Sequence, residues 1–102
     1  MKISIEFIPK EAAYKIDKFL KVILPSAVYF LKINGLNEGE VWAGITESGI
    51  FQSAVPTETG NDQITEGKTL DIAIEPLLKW LHSEGLLSIE EVEAVREYIQ
   101  FQ

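Results

Sequence analysis

The chain has no cysteine among its 102 residues, which removes disulfide staples, thiolate nucleophiles and cysteine-ligated zinc or iron–sulfur centres. Histidine occurs once, as His82, so no site that needs two histidines fits within one chain. Arginine also occurs once, as Arg96. No apolar run approaches the roughly 20 residues that cross a bilayer. The apolar opening, Lys2 to Ile8, is broken by Glu6, Pro9 and Lys10 before a secretory h-region forms. A cytoplasmic protein with no membrane partner is therefore expected. Also missing are G-x-S-x-G, H-E-x-x-H, P-loop and dinucleotide-binding patterns, and with them the common sequence signals of hydrolase, zincin and nucleotide chemistry.

What is present is globular: 46% of residues are hydrophobic and 25% charged, too much of the former for a disordered chain. The length bounds one small domain, 1–102, with a single modest core. Charge is laid out unevenly. Residues 1–33 carry six lysines against three acids, a net of +3, and residues 34–102 carry thirteen acids against two lysines and one arginine, a net of −10. The total of −7 disfavours nucleic acid and anionic membranes and favours a basic protein as partner.

The pattern along the chain predicts an α+β fold in the order β-α-β-β-β. Ile3, Ile5 and Phe7 alternate with Ser4 and Glu6 as a half-buried strand that ends at Pro9. From Lys10 to Leu24 the period lengthens. A helix there would bury Ala12, Ile16, Phe19, Leu20 and Ile23 and turn Glu11, Lys15 and Lys18 outward, with Lys21 beside them. Ala27–Ile33, apolar on both faces, reads as a central strand. Val41–Ile45 and Gly49–Ala54 follow as strands, and Gly44 marks a bulge or a close backbone approach. Residues 55–68 are polar and glycine-containing, the expectation for a mobile loop.

Thr69–Glu75 admits two readings. Strict alternation of Leu70, Ile72 and Ile74 favours a fifth strand running into Pro76 as the first helical residue. The competing reading starts a long helix at Thr69, burying Leu70, Ala73, Ile74, Leu77, Leu78 and Leu81, at the expense of a proline inside the helix. The strand is preferred. Beyond it, 76–100 predicts a helical hairpin: Leu77–Ser83, a C-cap at Gly85, then a capping box at Ser88 and Glu91 opening a helix from Ile89 to about Gln100. The stretch W-L-H-S-E-G-L-L-S-I-E-E-V-E resembles the short C-terminal helical hairpins of many bacterial proteins, including those called SHOCT. The resemblance covers about a quarter of the chain and implies packing or association, with no activity attached.

Three groups of residues are candidates for function. Glu90, Glu93 and Glu97 fall within about 60° of one another on the last helix, an acidic stripe that suits a basic partner or serves only as a solvated face. A convex helix face converges too few oxygens for a metal site, so neither metal nor cofactor is expected. Lys15, Lys18 and Lys21 form a weak basic patch diluted by Glu11 and Asp17, without the arginines or glycine nest of a phosphate site. The lysine helix of one subunit could meet the acidic helix of another. Trp42 alternates against Val41 and Ala43 and either lies in the core beneath the C-terminal hairpin or projects beside the polar loop as an interface anchor. His82 reads as a helix-terminal group, since adjacent His82, Ser83 and Glu84 point about 100° apart and form no catalytic set.

These readings converge on a non-enzymatic protein-binding module, of the inhibitor or immunity-protein kind, engaging a basic protein through an acidic surface. Two alternatives stand beside it. One is an assembly subunit forming a homo-oligomer, and the other a small-molecule-binding protein or enzyme with a pocket near Trp42 and residues 55–68.

Overall fold

The computed structural model describes residues 2–101. Five antiparallel strands form one sheet in the order β1-β2-β3-β4-β5, so each strand lies beside its neighbour in sequence. They are β1 (Ser4–Pro9), β2 (Ala27–Asn34), β3 (Val41–Thr46), β4 (Phe51–Pro56) and β5 (Asp62–Gly67). Two short helices, α1 (Lys10–Ile16) and α2 (Leu20–Ile23), connect β1 to β2, and α3 (Leu70–Ser83) and α4 (Ile89–Gln100) form the C-terminal hairpin.

The alternation of β2 divides the core between the two faces of the sheet. Leu31 and Ile33 are buried with Val41 and Ala43 against Ile74, Leu78, Val92 and Val95 of the hairpin. Phe30, pointing the other way, is buried with Ile8, Ala13, Leu20 and Leu24 of the α1–α2 side. This is the central strand expected of a segment apolar on both faces. Gly44 lies on the Phe30 face where β3 meets the chain leaving α2. A Cβ there would fall 2.7 Å from Ala27 Cβ and 3.3 Å from Leu24 Cδ1, so a close approach explains this glycine. On the same face Gln52 is buried and its Nε2 donates to Glu66 Oε2 at 2.8 Å, while its Oε1 has no partner among the described residues.

Three sequence expectations need correction. The single helix over Lys10–Leu24 is two helices. Asp17 takes an extended backbone (φ −144°, ψ 102°) and its Oδ1 accepts the Phe19 N–H at 3.0 Å, a local bond that competes with helix continuation. The break shifts the helical phase: Ala13, Leu20 and Leu24 are buried, whereas Ala12, Ile16 and Phe19 are exposed.

The expected mobile loop 55–68 instead carries the end of β4, a turn and all of β5. Six Cα pairs, from Phe51↔Gly67 to Pro56↔Asp62, join the two strands. Between them the Thr57 hydroxyl donates to the Asn61 carbonyl. An edge strand is held by backbone bonds and needs few apolar side chains, which is why Asp62–Gly67 looks like a loop in sequence.

With the fifth strand already supplied, Thr69–Glu75 is not a strand. Leu70 begins α3 and Pro76 lies inside it. An interior proline costs about 3 kcal/mol and removes the donor that would reach Ile72. Burial of Ala73, Ile74, Leu77 and Leu78 offsets that cost, at about 1.5–3 kcal/mol for each large side chain. The Ser53 hydroxyl of β4 adds a buried 2.6 Å bond to the Ala73 carbonyl.

The hairpin turn matches expectation. Gly85 has φ 75°, a left-handed position that closes α3, and the Leu86 N–H reaches the Leu81 carbonyl at 2.9 Å. Ser88 and Glu91 complete the capping box of α4: the Glu91 N–H donates to Ser88 Oγ at 3.1 Å and the Ser88 N–H to Glu91 Oε1 at 3.0 Å. His82 Nδ1 lies 3.0 Å from the Leu87 carbonyl oxygen, tying the end of α3 to the turn.

Candidate functional site

The helices of the hairpin are joined at residues 84–88 and open at the opposite end. There the first half of α3 faces the last half of α4 across a cavity of about 790 Å³. Its apolar lining is Ile72, Ile74, Leu78, Ile99 and Phe101, and its charged lining is Asp71, Glu75, Glu93, Glu97 and Arg96. A second cavity of about 430 Å³ shares Asp71, Ile99 and Gln100 with the first and continues over the sheet to Ile5, Phe7, Leu31 and Phe51. Together they make one trough along the open end of the hairpin toward the edge strand β1.

Helical spacing produces the lining. On α3, Ala73, Ile74, Leu77 and Leu78 take the buried stripe, which leaves Asp71, Ile72 and Glu75 on its flank. On α4, Val92 and Val95 point inward, and Glu93, Arg96 and Glu97 follow on the side that faces α3. Large apolar side chains remain in contact with water here: Phe7 is 69% exposed, Ile72 56% and Phe101 78%. A concentration of such side chains around one concavity is a feature of interaction surfaces, unlike isolated exposed residues.

Arg96 spans the trough. Its Nε donates to Glu75 Oε1 and Oε2 at 2.8 and 3.1 Å, its Nη2 lies 2.6 Å from Glu75 Oε1, and its Nη1 donates to Glu93 Oε1 at 2.8 Å. The hydrogen bonds to Glu75 are the main reason its guanidinium is held above its ordinary pKa. Four carboxylates against one guanidinium leave the lining with a net charge of −3, and neither Asp71 nor Glu97 is engaged by Arg96.

The expected acidic stripe is thus divided. Glu93 and Glu97 line the trough, Glu93 paired to Arg96, while exposed Glu90 on the first turn of α4 is outside the lining. Trp42 is not brought to these acids, and it lies neither beneath the hairpin nor free beside a loop. It is half-buried on the opposite face of the sheet, edge-on to Phe30 at 6.2 Å, and Tyr14 of α1 is edge-on to the same ring at 5.9 Å. Neither cavity is lined by Trp42 or by residues 55–68.

Lys15 of α1, Lys18 of the connection and Lys21 of α2 are all exposed, also on the far side of the sheet from the trough. Lys18 Nζ lies 5.8 Å from the Phe19 ring centroid. The break at Asp17 sets Ile16, Phe19 and Val22 among these lysines, 50%, 61% and 77% exposed.

Sequence reasoning missed Asp71, Ile72 and Phe101. A signal was available in the long-helix reading of Thr69–Leu81, since Ile72, like Trp80, is an apolar residue that this helix leaves off its buried side. Among the described residues no group of three or more histidines, aspartates or glutamates is placed to hold a metal ion, and no helix is long and apolar enough to cross a membrane. The trough brings together carboxylates, one guanidinium and apolar side chains, chemistry suited to recognition through charge and burial. Comparison with family models, curated proteins and solved structures gives no match to this chain.

Proposed function

We propose that the protein is a binding module that takes a basic, apolar-faced helical segment of a protein partner into the trough between α3 and α4. The observation that carries this reading is the pairing of exposed Ile72 and Phe101 with a lining of net charge −3 in a single concavity. An amphipathic helix laid in a groove gains its affinity from apolar anchors, and the charged rim sets orientation and on-rate. The overall charge of −7 adds long-range attraction for a cationic partner. Such a mode fits an inhibitor or immunity-type protein that occupies a basic surface of its target.

The test is a titration with a synthetic lysine–leucine amphipathic helix, followed by amide chemical shifts. Shifts confined to α3 and α4 around Ile72, Glu97 and Phe101, weakened by salt and by the Asp71→Lys/Glu97→Lys double variant, are expected. A matching peptide with glutamate in place of lysine should leave the spectrum unchanged. Shifts that map elsewhere, or binding equal for both peptides, would refute the reading.

A further inference from the structure

We infer that a second copy of this chain supplies the occupant of the trough, so that the protein self-associates head to tail; this rests on the trough being a site for a basic apolar segment. Within eight residues, the end of α1, the connection after Asp17 and α2 expose Ile16, Phe19 and Val22 together with Lys15, Lys18 and Lys21. These are the apolar and cationic features the trough calls for. The ridge has the sign opposite to the trough, in a chain whose first third is +3 and whose remainder is −10.

Geometry excludes the intramolecular version. The ridge packs on the Phe30 face of the sheet and the trough lies on the Leu31 face, so one molecule cannot close on itself. A contact between unlike surfaces is heterologous. Each added copy presents a free ridge at one end and a free trough at the other, which yields a ring or an open chain instead of a twofold dimer. The apolar part of the contact provides burial, and the charged part fixes register and rejects trough-to-trough pairing.

The experiment is sedimentation of the purified chain across a concentration series at about 20 mM and about 500 mM salt, where the screening length falls severalfold. At low salt the mass should rise above 11.5 kDa with concentration, and high salt should return it toward the monomer. Lys15→Glu/Lys18→Glu/Lys21→Glu spoils the ridge and spares the trough; Asp71→Lys/Glu97→Lys does the reverse. Each alone should stay monomeric, and an equimolar mixture should associate, because the intact trough of one variant meets the intact ridge of the other. Should a reversal unfold the chain, the milder Lys18→Gln/Lys21→Gln and Glu97→Gln variants are expected to move the assembly midpoint severalfold higher in concentration.

A wild type that is monomeric throughout, or assembly indifferent to both reversals, overturns the inference. So does a monomer whose ridge binds anionic phosphatidylserine vesicles, an outcome that would assign α1 and α2 to a membrane surface instead. A monomer whose trough still takes the lysine–leucine peptide separates the two readings: self-association fails and the binding site stands.

Discussion

The Glu91 carboxylate accepts the backbone N–H of Asn37 at 2.8 Å, linking residues 54 apart in sequence and fastening the β2–β3 connection to the first turn of α4. The same side chain closes the capping box with Ser88, and its residue is only 3% exposed.

This carboxylate makes stability depend on acid pH. Backbone N–H groups of Ser88, foremost, and Asn37 hold the Glu91 pKa below its ordinary value in the folded chain. A lowered folded-state value means that the unfolded chain takes up the proton first, so the contribution is complete above the ordinary carboxylate range and disappears as pH falls through the folded value. Glu91→Ala should lower stability by about 1–3 kcal/mol at pH 7. The gap to wild type should narrow in urea titrations carried progressively below the carboxylate range.

Pro76 is the residue most at odds with its helix. Replacing it by alanine restores an N–H toward Ile72, and Pro76→Ala should raise stability by about 1–3 kcal/mol. Thermal unfolding followed by circular dichroism checks this, and a lowered midpoint would show that the proline ring packs better than an alanine can.

Gly67, the last residue of β5, permits α3 to start against the sheet. A Cβ on it would sit 2.8 Å from Ile72 Cγ2 and 2.9 Å from the Ala73 nitrogen. Gly67→Ala should cost about 1–3 kcal/mol by displacing the first turn of α3, and amide exchange should rise at the start of that helix.

Ser53 is fully buried and its hydroxyl bonds the Ala73 carbonyl. Ser53→Ala removes one buried bond between β4 and α3 and should cost about 0.5–1.5 kcal/mol, measurable as a lower urea midpoint at unchanged slope.

Arg96 tempers the acidity of the trough. Its side chain and that of Glu75 are 36% and 31% exposed, so solvent screening leaves the pair little weight in stability. Arg96→Gln should leave folding nearly unchanged and tighten binding of the lysine–leucine peptide roughly two- to fivefold at low salt. Weaker binding would mean that holding α3 and α4 at their present spacing matters more than charge.

Where one local signal dominated, the sequence was readable. Ser88 and Glu91 announced the start of α4, Gly85 the end of α3, and the apolar run of β2 its place between two layers. Where two signals competed, the outcome turned on partners distant in sequence. The alternation of Leu70, Ile72 and Ile74 suits a strand, yet Asp62–Gly67 already occupies the sheet edge through bonds that leave no hydrophobic trace. Periodicity over Lys10–Leu24 also hid the break, because Asp17 ends the helix through its own side chain. The site was half legible: Glu93 and Glu97 stood out as charge, whereas Ile72 and Phe101 gain meaning only once α3 and α4 lie side by side.

The sheet order has a kinetic consequence. Because β1 to β5 lie in space as they do along the chain, every strand finds its partner one connection away, and pairing closes mostly short loops. Refolding should therefore be quick for a protein with five strands. The hairpin of α3 and α4 follows all five strands in sequence and covers the Leu31 face of the sheet they form. The cavity between α3 and α4 therefore takes half its lining from a helix that plays no part in strand pairing, and it exists only once both helices are in place.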